Sequence, residues 1–141
     1  MSQQTRRSQK REAIYALLCS VDCHPSAQWV YERMREQYPQ LSLGTVYRNL
    51  AEFRAQGKLR TVAVVQGQER FDANTADHVH LICTRCGAVE DLKSEAMDMA
   101  VRRCAALCPN PVSGAQLTFT GLCSACASMP STASPQGEVP N

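Results

Sequence analysis

Two Cys-x-x-Cys pairs constrain this chain more than any other feature. Cys83-Thr-Arg-Cys86 is followed, 36 residues on, by Cys123-Ser-Ala-Cys126. Each pair can clip one edge of a tetrahedral Zn²⁺ ion, and a closed four-thiolate site leaves no position open for catalysis. Gly87 follows Cys86 directly, as a tight knuckle turn favours. The residues between the pairs would form a loop that zinc closes, so metal binding would contribute folding free energy to this part of the chain. Two unrelated thiol pairs, or a redox Cys-x-x-Cys, form the competing reading, which the doubling of the knuckle disfavours. Eight cysteines would indicate a disulfide framework in a secreted chain. The opening MSQQTRRSQKRE has no apolar core and does not read as a secretion signal. No apolar run approaches the roughly 18 residues that a membrane span needs. A cytoplasmic chain with no membrane contact is therefore expected, its thiols serving metal or redox chemistry.

The net charge of +2 conceals an asymmetry. Residues 1–70 carry 11 Lys/Arg against 6 Asp/Glu, and residues 71–141 carry 4 against 7. A basic half suits a polyanion and an acidic half suits cations, although such a surface is also common without either. The apolar pattern agrees with two halves. Ile14, Leu17, Leu18 and Val21 predict a helix over 8–21. His24-Pro25-Ser26 breaks the chain, with Pro25 suited to the first turn of a second helix whose apolar face is Ala27, Val30, Tyr31 and Met34. Pro39 is expected to end that helix. Ser42 caps a third, with Leu43, Val46, Leu50 and Phe53 inward and Gly57 as its stop. Thr61–Val65, Gln66-Gly67 and a segment ending at Asp72 read as a hairpin.

Three helices and a hairpin in that order describe a winged helix. The expected architecture is therefore α+β. A winged-helix DNA-binding domain (1–72) is followed by a hinge (73–77) and a small α/β metal-binding domain (78–127) built on the four-cysteine site. In the second domain, strands are expected at 78–83, 88–92 and 116–122, and a helix at 94–107 with Met97, Ala100, Val101 and Cys104 on one face. Residues 128–141 are poor in apolar side chains and rich in Ser and Pro, and read as a disordered tail.

The chain has three histidines: His24, His78 and His80. His78 and His80 stand two apart in a strand pattern, so both imidazoles project to one side. Asp72 precedes them and Asp91 follows. Such a nitrogen and oxygen set suits Fe²⁺, Mn²⁺ or Zn²⁺ better than Ca²⁺ or Mg²⁺. Alone, the His-x-His pair is equally well read as two exposed strand histidines, and His24 is ambiguous. The remaining cysteines, Cys19, Cys23, Cys104 and Cys108, form two pairs at helical spacing. They are read as small buried hydrophobes rather than as a redox or metal set.

Taken together, these residues match a known pattern. His24-Pro-Ser-Ala, Ser42-Leu-Gly-Thr-Val-Tyr-Arg-Asn-Leu50, Arg70-Phe-Asp72, Asp77-His-Val-His-Leu-Ile-Cys-Thr-Arg-Cys-Gly87 and the second Cys-x-x-Cys occur in one order. In these motifs, from about Arg6 to Cys126, the chain resembles the ferric uptake regulator family. The resemblance implies a homodimeric repressor that binds an inverted-repeat operator in double-stranded DNA when a regulatory metal is present. Within the family the chain is most similar to the peroxide-sensing branch. That similarity implies structural Zn²⁺ on Cys83, Cys86, Cys123 and Cys126, and regulatory Fe²⁺ or Mn²⁺ on His24, Asp72, His78, His80 and Asp91. Iron-sensing members tend to carry Glu where Asp72 and Asp91 stand. In similar peroxide sensors oxygen is added to a ligand imidazole, which implies His24 and His78 as oxidation targets. The modification is self-oxidation without turnover, so no enzyme is expected.

Outward residues of the third helix, Thr45, Tyr47 and Arg48, are the candidates for base contacts, since Arg pairs bidentately with guanine and Tyr can meet a thymine methyl. Lys10 and Arg11 on the first helix are candidates for phosphate or the minor groove, with a solvated side chain as the equal alternative. Peroxide sensors of this branch often carry Asn where Arg48 stands, so the operator sequence stays open. The competing functions are a sibling repressor sensing iron or zinc levels, a metalloenzyme using His78, His80 and an Asp, and a thiol switch at Cys83 or Cys123.

Overall fold

The computed structural model describes residues 2–130. The expected tail therefore lies outside the described residues from position 131 on. Helix α1 spans Gln3–Ser20 and begins five residues earlier than the apolar pattern indicated. Its first turns are polar and exposed and carry no periodic signal. They are started by Ser2, whose side chain accepts from the Thr5 amide at 3.4 Å. Helix α2 spans Ala27–Met34, with Ser26 as its cap accepting from the Trp29 amide at 3.2 Å. Pro25 thus sits outside the helix instead of in its first turn. Its carbonyl is taken by the Phe71 amide at 3.0 Å. The helix ends at Met34, well before Pro39.

Helix α3, Leu43–Ala55, is capped by Ser42 as expected. Strands β1 (Arg60–Val65) and β2 (Gln68–Asp72) pair antiparallel through Gln66-Gly67, both at positive φ (52° and 76°), as a tight hairpin turn requires. Ile14, Leu18, Val30, Met34, Val46, Leu50, Phe53, Leu59 and Phe71 are buried together. Each helix gives this core positions three or four apart, the spacing of one helical face. This is the winged helix the sequence indicated.

The rest of the chain forms a second, smaller sheet. Strand β3 (Val79–Cys83) lies between β4 (Val89–Leu92), antiparallel to it, and β5 (Leu117–Gly121), parallel to it. A parallel neighbour demands a long crossover, and helix α4 (Glu95–Leu107) occupies it. A short helix α5, Ser124–Ala127, which the sequence reading did not anticipate, closes the second Cys-x-x-Cys. α4 has no fully buried residue: Met97 and Val101 on its apolar face are half-buried, and Ala100 and Cys104 are exposed. Cys19, Cys23, Cys104 and Cys108 are all exposed, not buried as expected. The first pair lies at and beyond the end of α1, and the second lies on and just past α4, where no residue is fully buried.

The two halves touch directly. Val62 sits at the β1 bulge, where the ladder shifts register, and its carbonyl accepts from Gln116 Nε2 at 2.8 Å. His24 Nδ1 reaches the Val89 carbonyl at 2.8 Å.

Leu50 is at the centre of the helical core and is 1% exposed. Leu50→Ala should lower the unfolding free energy by about 2–5 kcal/mol, the cost of a buried leucine truncation. Urea denaturation of the zinc-loaded protein measures this, and a loss under about 1 kcal/mol would mean the site collapses freely.

Candidate metal centres

The cysteine cluster assembles as the spacing predicts. Cys83, at the end of β3, and Cys86 flank a knuckle closed by Gly87 at φ 74°. Cys123 and Cys126 lie at the start of α5 and within it. The four sulfurs lie within 4.8 Å of one another, and Cys86 Sγ is 3.7 Å from Cys123 Sγ. A disulfide would need about 2.05 Å. Sulfurs held about 2.3 Å from one tetrahedral ion stand about 3.8 Å apart, so the spacing fits zinc. The electrostatics agree. The Cys123 and Cys86 backbones draw the Cys83 thiol down to about 6, whereas burial and the neighbouring thiols push Cys126 up to about 12. Crowded thiols resist a second negative charge, and a divalent cation removes that obstacle.

The second cluster joins parts of the chain far apart in sequence. His24 comes from the turn between α1 and α2, and Asp72 from the end of β2. His78 lies just before β3, His80 lies on β3, and Asp91 is its register partner on β4. Asp91 Oδ1 stands 2.8, 2.9 and 3.2 Å from the Nε2 atoms of His24, His78 and His80. Asp72 Oδ2 stands 3.2, 2.9 and 3.3 Å from the same three atoms. His24 and His80 are buried, at 2% and 0% exposure.

Tautomers follow from the outer contacts. His24 Nδ1 faces the Val89 carbonyl, and His78 Nδ1 faces the Ala76 carbonyl at 2.6 Å. A carbonyl only accepts, so both Nδ1 atoms carry hydrogen and both neutral rings present an Nε2 lone pair to the carboxylates. Lone pairs facing carboxylate oxygens need a positive charge between them. Donors about 2.1 Å from a common ion lie about 3 Å apart, as these do. The donor set and the geometry both fit a transition-metal cation. Without one, protons take that role. Burial opposes charge on His24, but the hydrogen bond to Asp72 and the charges of Asp91 and Asp72 outweigh it and raise its pKa. Burial likewise opposes charge on Asp72, and bonds from His24 and His80 overcome it and hold the carboxyl well below the usual carboxylate range.

Of the candidates for nucleic-acid contact, Tyr47 is 53% exposed and Arg48 is exposed, its Nη2 donating to Thr45 Oγ1 at 3.0 Å. Arg11 is engaged within the fold, 2.5 Å from Glu52 and over the Phe53 ring. Lys10 is half-buried on α1. The sequence reading missed the groups that hold the histidines. The Val89 and Ala76 carbonyls carry no residue signal. Arg60, whose Nη1 donates to the Asp77 carboxylate at 3.5 Å next to His78, sits on a strand that looked unremarkable.

A winged helix, joined by a five-donor cluster to a sheet with a four-thiol cluster, defines a class of metal-responsive DNA-binding regulators. The model of the ferric uptake regulator family matches residues 2–108, and the chain belongs to that family. It is 32% identical over 122 residues to the peroxide operon regulator of Bacillus subtilis, covering 86% of this chain and 84% of that protein. Among solved structures it is similar to the Campylobacter jejuni peroxide stress regulator, with a TM-score of 0.74, 25% identity and coverage of 87% and 93% of the two chains. It is also similar to a zinc uptake regulator complexed with zinc and DNA, with a TM-score of 0.59, 26% identity and coverage of 84% and 81%.

Because metal must displace protons from the histidines, Mn²⁺ binding should release protons. Its apparent affinity should climb as the pH rises through the His24 pKa, which lies above the ordinary imidazole value. Calorimetry in buffers of different ionisation enthalpy checks this, and a pH-independent affinity would remove His24 from the ligand set. Cys126→Ser should leave the purified protein with less than one zinc per chain and markedly lower stability, measured by elemental analysis and thermal denaturation.

Proposed function

We propose that the protein is a cytoplasmic, homodimeric, metal-dependent transcriptional repressor. It holds an inverted-repeat operator while its regulatory site is filled, and releases the operator when hydrogen peroxide oxidises that site. The carrying observation is the five-donor cluster, which draws His24 and Asp72 from the winged helix and His78, His80 and Asp91 from the hinge and sheet. An ion bound by all five fixes the angle between the halves, because it binds the closed arrangement far better than an open one. A dimer then presents two α3 helices at the spacing of two half-sites. Thr45, Tyr47 and Arg48 face the bases, and Lys10, with Arg11 beside it, lies towards the phosphates. The domain division is that expected from the sequence: 1–72 for DNA, 73–77 as hinge and 78–127 for dimerisation, with structural zinc on the four cysteines.

The peroxide reading is supported by aspartate at both carboxylate positions and by the names of the relatives. Fe²⁺ held by His24, Asp72, His78, His80 and Asp91 would supply one-electron chemistry towards peroxide, returning in the net balance to the state in which it began. In net terms an imidazole C–H of His24 or His78 becomes C=O, and the second peroxide oxygen leaves as water. The modified ring is a poorer donor, so the clamp between the halves weakens and DNA is released. His24 then serves as both ligand and fuse, its ring fixed by Val89 at one nitrogen and by the aspartates at the other. Each chain is consumed once, so the protein is a sensor and not an enzyme.

In the zinc-loaded protein carrying Fe²⁺ or Mn²⁺, peroxide titration should abolish binding to an operator selected from random duplexes only in the iron form. The same samples should gain the mass of one oxygen on a peptide containing His24 or His78. Retention of DNA by the iron form, with both histidines unmodified, would make the protein a metal-level sensor of the same family instead.

A further inference from the structure

Arg70 lies on β2, two residues before Asp72, and the proposed chemistry makes no use of its charge. Its guanidinium is turned onto three backbone carbonyls. Nε donates to the His24 carbonyl, Nη2 to the Cys23 carbonyl at 2.9 Å, and Nη1 to the Gly87 carbonyl at 3.2 Å. Cys23 and His24 form the turn between α1 and α2. Gly87 closes the knuckle after Cys86. One side chain therefore grips both the segment that carries His24 and the segment that carries two of the four thiols.

The gripped segments have little slack. His24 has φ 51°, in the left-handed region that a non-glycine residue occupies only when its surroundings hold it there. The Nε bond holds its carbonyl. Gly87 has φ 74°, and a Cβ there would come within 2.8 Å of Val65 Cγ1, so knuckle and wing are in close contact. A planar guanidinium can serve several acceptors in fixed directions, which a lysine ammonium cannot reproduce.

We propose that Arg70 is a positioning residue that couples the two metal centres. It presets the His24 backbone for the regulatory metal and braces it against the zinc knuckle. This rests on reading the His24, Asp72, His78, His80 and Asp91 cluster as the regulatory site. The halves are thereby biased towards the closed angle before that metal arrives, and its affinity includes a contribution from a side chain that never touches it.

The test uses the full zinc-loaded chain with Arg70→Met, which keeps the apolar stem, and Arg70→Lys, which keeps the charge. Mn²⁺ affinity is measured by competition with a fluorescent chelator, zinc by elemental analysis, and amide hydrogen exchange on the Mn²⁺-free protein. Zinc should stay at one per chain. Mn²⁺ affinity should fall on the order of tenfold or more in Arg70→Met and less in Arg70→Lys. Without Mn²⁺, exchange should quicken at both 22–26 and 86–90, and saturating Mn²⁺ should restore wild-type DNA binding. An Mn²⁺ affinity within about twofold of wild type in both variants, or faster exchange at 22–26 alone, overturns the coupling. If Arg70→Met fails to retain zinc, Arg70→Lys decides on the same readouts. A wild-type chain that binds no Mn²⁺ would sink the regulatory-site reading itself, whereas tight wild-type binding with unchanged variants sinks only the role of Arg70.

Discussion

The confrontation of three imidazole nitrogens with two carboxylate oxygens, all inside 4.8 Å, is the constraint on which the closed form depends. The neutral rings of His24 and His78 are turned so that a lone pair faces an anion. In a partly buried site that arrangement is unfavourable unless a positive charge sits among the five atoms. A proton can satisfy one pair at a time, whereas a divalent cation satisfies all five. The donors come from both halves, so under the proposed function filling the site and fixing the interdomain angle would be one event, with the sensing bonds themselves as the clamp.

The four-thiol cluster plays a different part. It is closed, with every position taken by sulfur, and it holds the β3 end, the knuckle and α5 together. This small sheet has few buried apolar side chains of its own, chiefly Val79 and Val89. A unit that size gains little from apolar burial alone, and zinc ligation by the four thiols, as proposed, would supply the remainder. Among the described residues no side chain of α4 is fully buried, and Met99 and Leu107 are exposed, as befits a family whose members act as dimers. In the proposed function the two centres divide the work, one building the platform and the other reporting through it, with Arg70 between them.

Much of this was legible in the sequence because the relevant patterns are local. Ser26 and Ser42 mark two helix starts, Gln66-Gly67 marks the wing turn, and Val46, Leu50 and Phe53 mark the inward face of α3. The paired Cys-x-x-Cys fixes the zinc thiols by spacing alone. Errors arose where no local signal exists. The polar opening of α1 has no periodicity, α5 is a single turn, and the four spare cysteines are exposed because their surroundings, not their chemistry, decide burial.

Residue types and spacing indicated the winged helix and the four-thiol cluster, while the candidate set of His24, Asp72, His78, His80 and Asp91 came from the family resemblance. They could not settle that His24 meets Asp91, 67 positions later, at 2.8 Å. Nor could they assign the ring tautomers, since these depend on the Val89 and Ala76 carbonyls, which every residue type possesses. The brace formed by Arg70 has the same character: its three acceptors are main-chain oxygens. Sequence specifies which donors a chain carries. Which acceptors they reach across the seam between the halves is decided only when both halves have folded and docked, because that distance is a property of packing and not of order along the chain.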